Sequence, residues 1–237
     1  MTSEPRTAVV TGAASGMGAA TAQRLRAEGW TVLGLDRAGE EPDVVRADVT
    51  DLASLEEAVA RLGDASVDAL VLAAGIWSSD DDRYSAVSLD VWERTMAVNV
   101  TGAMLSLRAV APRLRPGSAV VTMASLAALT GIPRRDAYTA SKGAIVALTR
   151  AWAADLIRLG VRVNCVAPAQ VATPMTQHVT GIDTARLPLG REATPDEIVE
   201  VILALLNPAA SYLNGAIIPV DGGLTAASSL VSISLRT

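Results

Sequence analysis

Short apolar runs, unbroken by internal charge, alternate with longer amphipathic segments along the whole chain. This alternation limits the fold more than any other feature. The runs Thr7–Thr11, Thr31–Asp36, Val44–Arg46, Ala69–Leu72, Ser118–Met123, Arg162–Val166 and Ala216–Val220 are rich in Val, Leu or Ile, as strands buried on both faces are. Between them, apolar spacing predicts helices over Met17–Glu28, Leu52–Leu62, Leu89–Leu114, Tyr138–Leu159 and Pro195–Leu206. Ser88 is placed to cap one helix, and "TPDE" from Thr194 reads as a Thr cap, a first-turn Pro and then acids. A strand–helix–strand succession implies right-handed crossovers. The expected fold is α/β: a single-domain, doubly wound parallel sheet, Rossmann-like, of about seven strands with helices on both faces.

Composition agrees with this and removes several functions. Half the residues are hydrophobic and none is Phe, so the core is built from small side chains, mainly Ala, Val and Leu. A net charge of −5 gives no support for nucleic-acid or anionic-membrane binding. The lone Cys165 excludes an internal disulfide and fits a reducing compartment; with the single His178 it cannot assemble a His/Cys zinc site, and no metal is expected. The amino end has no basic flank followed by a long apolar run, and no uncharged stretch is long enough to span a bilayer. A cytoplasmic protein is expected. The polar run "SSDDDRYS" (78–85) reads as a solvated loop.

"VVTGAASGMGAAT" places Gly12, Gly16 and Gly18 between the first strand and the first helix. Glycines there allow a tight turn and the approach of a pyrophosphate to the helix N-terminus. The spacing G-x3-G-x-G departs from G-x-G-x-x-G, so an ordinary strand–helix turn is the competing reading. Asp36 ends the second strand, where an acid accepts hydrogen bonds from the adenosine ribose. One unit of like charge at about 4 Å, with an effective dielectric near 20, costs about 4 kcal/mol against a 2′-phosphate. Arg37 could bind that phosphate and argues the other way. The balance favours NAD over NADP.

Of 20 basic residues, Lys142 is the only lysine, and it follows Tyr138, one of three tyrosines, by four positions. Placed at random, a lysine would do so in about one case in 80. On a helix the pair shares a face. A nearby cation favours the phenolate of a tyrosine, by about 1 to 3 pKa units for close charges. A compact ammonium can also touch a ribose hydroxyl and a phenol together, which a guanidinium does less well. A surface Tyr–Lys pair is the alternative.

Taken together, "TGAASGMG", "AVNVTGA", "MASLAAL", "YTASK" and "VNCVAP", with 13 residues from Ser125 to Tyr138, resemble the short-chain dehydrogenase/reductase family from Thr7 to the "VDGG" at 220–223. The pattern is most like that of bacterial hydroxysteroid and carbonyl-reducing members. The resemblance implies that residues 1–237 form one dinucleotide-binding and catalytic domain, with 224–237 as a C-terminal extension. It implies Tyr138 as acid/base, Lys142 on the nicotinamide ribose, Ser125 on the carbonyl or hydroxyl oxygen, and Asn99 helping to hold a water-linked proton relay. The implied cofactor-binding set is Gly12, Ser15, Gly16, Met17 and Gly18, then Asp36, Arg37, Asp48 and Val49, then Ala74, Gly75, Tyr138, Lys142, Pro168 and Thr173.

Two positions depart from the family pattern: "LAAG" (72–75) replaces Asn-Asn-Ala-Gly, and Ala169 replaces a Gly after Pro168. Trp77, Leu126, Gln170 and Met175 are the expected pocket residues. A substrate lid over 176–187 would be short. Arg134 and Arg135 could recognise an anion, or simply form a solvated charge pair. The expected activity is hydride transfer between NAD(H) and a secondary alcohol or ketone, by a homotetramer. The alternatives are an NADPH-dependent 3-oxoacyl ketoreductase and, from another class, a non-catalytic NAD-binding regulator.

Overall fold

The computed structural model describes residues 5–39, 43–176 and 187–226. Seven parallel strands form one sheet: β1 (Thr7–Thr11), β2 (Thr31–Asp36), β3 (Val44–Arg46), β4 (Val67–Leu72), β5 (Leu114–Met123), β6 (Arg162–Pro168) and β7 (Ile217–Val220). Their spatial order is β3-β2-β1-β4-β5-β6-β7. The helices are α1 (Gly16–Ala27), α2 (Leu52–Ala60), α3 (Leu89–Met96), α4 (Gly102–Val110), α5 (Asp136–Leu156) and α6 (Pro195–Leu206). The doubly wound sheet expected from the alternation is the one found.

Two cores form because strand side chains alternate faces. Val9, Leu70, Val120 and Val163 point to one face, where Leu55 of α2, Leu107 of α4 and Ile145 of α5 cover them. Ala8, Val10, Val71 and Val121 point to the other, under Leu25 of α1 and Ile198 and Ile202 of α6. Capping follows the sequence. Ser88 Oγ accepts from Val91 N, and Thr194 and Glu197 form a reciprocal capping box. Among the described residues, no helix is long and apolar enough to cross a membrane.

One expected element changes character. The helix predicted over Leu89–Leu114 is interrupted by a π-turn at Ala97–Thr101 and ends early, and Leu114 begins β5 instead. The π-turn contains Asn99, whose buried side chain is fully engaged in hydrogen bonds. Widened turns of this kind are frequent at functional sites.

The strand order reverses between β1 and β4, so the loops after these two strands diverge to opposite faces and open a crevice at their carboxyl ends.

Candidate active site

The crevice is a cleft of about 270 Å³. Its floor is the β1–α1 loop, with Gly12, Ser15, Gly16, Met17 and Gly18 all lining it. The three glycines are required for different reasons. A Cβ at Gly12 (φ +72°) would lie 2.9 Å from Ala74 Cα, and one at Gly18 would run into the Gly12 carbonyl. At Gly16 (φ +54°) a Cβ would meet only the Thr173 side chain, at 3.9 Å. Gly12 and Gly18 therefore permit packing, while Gly16 keeps the cleft open. Ser15 makes no side-chain capping bond, so the first-turn N–H groups of α1 remain available to an anion. This cradle fits a dinucleotide pyrophosphate.

The rest of the lining comes from the ends of β2, β3 and β4. Asp36 and Arg37 both reach it, as do Asp48, Val49, Ala74 and Gly75. Asp36 is held by two backbone amides: Oδ2 accepts from Ala14 N at 3.1 Å and Oδ1 from Ala38 N at 3.0 Å. Asp48 accepts from both the amide and the hydroxyl of Thr50, which hold its carboxyl below the usual carboxylate range. Where the family pattern has amide side chains, "LAAG" leaves the Thr11 hydroxyl to accept from Ala74 N at 3.1 Å. Thr173 lines the opposite rim with Met175, whereas Pro168 lies buried within β6 and away from the lining. Sequence reading missed Ile76, Arg94 and Val98 here; no spacing rule marks residues that approach only through the fold.

Behind the cleft, α5 packs against β5 and β6. The Ser125 hydroxyl lies beside the Tyr138 phenol. Ser125 also opens a 3-10 turn, its Oγ accepting from Ala127 N at 3.2 Å. Burial pushes the Tyr138 phenol up, and the Ser125 hydroxyl draws it part of the way back. Lys142 Nζ donates to Met123 O at 2.9 Å and lies 5.7 Å from the Tyr138 ring centroid. Burial lowers its pKa to about 8, so it stays mainly protonated at neutral pH.

Asn99 ties these parts together. Its Oδ1 accepts from Ile76 N at 2.7 Å, and its Nδ2 donates to Ile76 O at 2.9 Å and Ser141 Oγ at 3.0 Å. Ser141 Oγ in turn donates to Tyr138 O at 2.7 Å. Gly75 is needed where these groups converge: a Cβ there would sit 3.3 Å from both Asn99 Oδ1 and Lys142 Nζ.

The loop read as solvated is in part buried. Asp81 is 3% exposed, and its carboxylate accepts from Ala137 N at 3.1 Å and Tyr138 N at 2.9 Å. It caps α5 from 56 residues away in sequence, a separation no local capping rule detects.

The expected pocket residues are dispersed. Trp77 Nε1 donates to Met175 O at 2.8 Å. Leu126 begins the 3-10 turn after Ser125. Gln170 lines a different cavity, of about 190 Å³, with Leu187 and Asp221. Most of the predicted lid, His178 and most of the 224–237 tail lie outside the described residues. Among the described residues, no group of His, Cys, Asp and Glu could hold a metal ion.

Comparison with known proteins matches residues 12–225 to the family model described as Enoyl-(Acyl carrier protein) reductase. The 2-(R)-hydroxypropyl-CoM dehydrogenase of Xanthobacter autotrophicus (strain ATCC BAA-1158 / Py2) is 35% identical, over 93% of this chain and 99% of the relative. The meso-2,3-butanediol dehydrogenase of Serratia marcescens is 37% identical, over 92% of this chain and 94% of the relative. The crystal structure of levodione reductase superposes with a TM-score of 0.86 at 30% identity, covering 94% of this chain and 98% of that one.

Proposed function

Because the chain belongs to the short-chain dehydrogenase/reductase family, we propose that it transfers hydride between NAD(H) and a secondary alcohol or its ketone, with Tyr138 as the acid/base. The observation that carries this reading is the meeting of Ser125, Tyr138 and the buried Lys142 behind the glycine-lined cleft. A bound nicotinamide supplies the hydride acceptor or donor, and its oxidised ring adds positive charge.

The chain's own residues do the rest. Ser125 Oγ holds the substrate oxygen, and in oxidation Tyr138 Oη takes the carbinol proton. The protein alone holds the phenol high, so an added positive charge beside it is needed to make it a base near neutral pH. Lys142 binds the ribose of the cofactor and keeps a cation beneath the site. Asn99 and Asp81 hold the backbone on either side in register. The N-terminus of α1 takes the pyrophosphate. Two of the named relatives are carbinol dehydrogenases matched over nearly their full length, which favours alcohol oxidation over reduction of an enoyl double bond.

Asp36 supports NAD as the cofactor. Its carboxylate, fixed by two amides, lines the cleft at the ribose end. Arg37 lines the same place and is the ground for the second reading, an NADPH-dependent ketoreductase. The exposed Trp92 and Met104 on α3 and α4 offer a face for a second copy, consistent with a homotetramer. The single cysteine, buried and without a disulfide, suits the cytoplasm.

The test titrates NAD+ and NADP+ separately, then follows reduced-cofactor absorbance with secondary alcohols. Preferential NAD+ binding with turnover is expected. Preference for NADP+ would put the ketoreductase first, and tight binding with no turnover across cyclic, steroidal and acyl substrates would favour the regulator.

A further inference from the structure

The two adjacent arginines before the catalytic helix have different fates. Arg134, in a left-handed conformation (φ 59°), is exposed and paired with Asp82 at 3.1 Å. Arg135 is half-buried, and its guanidinium lies over the Trp77 ring, 4.4 Å from the centroid. Among the described residues it forms no ion pair, unlike Arg24, Arg115, Arg134 and Arg191.

Two of the nearby carboxylates are engaged elsewhere, and Asp136, next in sequence, forms no ion pair with Arg135 among the described residues. Asp81 binds the amides of Ala137 and Tyr138, so the α5 N-terminus itself is already satisfied. Asp82 binds Arg134. From Arg135, only Nη1 has acceptors among the described residues, the carbonyls of Asp81 and Arg134. The remaining donors, Nε and Nη2, lie along one edge of a plane that the indole face holds still. A stacked guanidinium of this kind is pre-organised to take an oxyanion through two parallel hydrogen bonds.

Its position relates it to the chemistry. Arg135 is the N-cap of α5, three residues before Tyr138. Trp77, on which it stacks, reaches Met175 through its N–H, and Met175 lines the cofactor cleft. The wall Arg135–Trp77–Met175 thus runs from the start of the catalytic helix to the cleft rim.

We infer that Arg135 and Trp77 form a subsite for an oxyanionic group, so that the preferred substrates are small secondary alcohols carrying a carboxylate or sulfonate at the end remote from the carbinol. This rests on the dehydrogenase reading for the placement of the carbinol at Ser125 and Tyr138. The guanidinium binds the anion as a fixed cation and takes no part in proton or hydride transfer.

The experiment has a binding arm and a kinetic arm. Calorimetry measures cyclohexanecarboxylate, cyclohexanesulfonate and neutral cyclohexanecarboxamide binding to the protein saturated with NADH. At least one anion is expected to bind about 10- to 100-fold tighter than the amide, the range of a charge-assisted contact, with that ratio collapsing in Arg135→Gln and Arg135→Met. Equal binding of anion and amide, or an unchanged ratio in both variants, overturns the inference. In the kinetic arm, the kcat/KM ratio of 3-hydroxycyclohexanecarboxylate to cyclohexanol is compared within each protein, so a loss of folded enzyme cancels. Turnover of cyclohexanol without anion preference defeats the subsite and leaves the dehydrogenase. Anion-selective binding without turnover of any alcohol defeats the dehydrogenase reading and leaves the subsite.

Discussion

The carboxylate of Asp81 accepts a hydrogen bond from the backbone amide of Tyr138 at 2.9 Å. The loop after β4 therefore positions the main chain of the residue assigned to proton transfer, while also closing the first turn of α5. Replacing Asp81 by Ala leaves two amides of a buried helix start without partners, at a cost of about 2–3 kcal/mol. Denaturant titration should show that loss, and Asp81→Asn, which keeps one acceptor, should recover part of it. Steady-state kinetics should show kcat falling more than KM in both variants. A fall in stability with kcat unchanged would reduce Asp81 to a structural cap.

Tyr138→Phe removes the hydroxyl and keeps the ring. Turnover should fall by about 10³-fold, within the usual range for a general acid/base, while the dissociation constant for NAD+ stays within about twofold. Stopped-flow reduction and fluorescence titration separate the two. Retained turnover would defeat the proton-transfer assignment.

Lys142 should leave a mark on stability as a function of pH. Its folded pKa, about 8, lies below the 10.5 of an unperturbed lysine because the ammonium is buried. The unfolded state therefore binds more protons above pH 8, so this residue makes stability rise with pH there. From pH 8 to 9 the gain is about 1 kcal/mol. Above pH 9 the raised pKa values of Cys165 and Tyr138 work in the opposite direction. Urea midpoints between pH 7.5 and 9 should climb in the wild type, and the climb should vanish in Lys142→Met. A rise of equal size in the variant would assign the effect to another group.

Gly18→Ala and Gly16→Ala should fail differently. The Gly18 methyl collides with the Gly12 carbonyl, so a stability loss of about 1–3 kcal/mol or more is expected. The Gly16 methyl meets only the Thr173 side chain, at 3.9 Å, and a left-handed backbone, costing about 1 kcal/mol but weakening cofactor binding. Thermal unfolding with and without NAD+ distinguishes them: the cofactor-induced rise in Tm should shrink most in Gly16→Ala.

Much of this was legible from the chain because the signals are local. Short apolar runs located β1, β2 and β3 at their observed bounds, and β1, buried along its whole length, carries no charge at all. "TPDE" announced the Thr cap and first-turn Pro of α6 because every partner lies within one turn. The glycine loop and the Tyr138–Lys142 spacing were visible for the same reason. The break in the helix at Ala97–Thr101 was not, because "AVNVT" is compatible with a continuous helix and the π-turn exists to turn Asn99 toward Ile76, 23 residues away.

By itself, then, the sequence determined the alternation that makes the sheet, the cradle at the start of α1, and the residues that could move a proton. Short-range periodicity and propensity encode all of these. Only the tertiary structure decided that Asp81 caps α5, that Gly12 and Gly18 serve packing while Gly16 keeps the cleft open, and that Arg134 is neutralised while Arg135, among the described residues, stands on Trp77 without an acid. Two neighbouring arginines are chemically identical along the chain. Their difference arises when the fold brings one beside a carboxylate and the other onto an aromatic face, and such distant pairings leave no periodic trace in the residues between them.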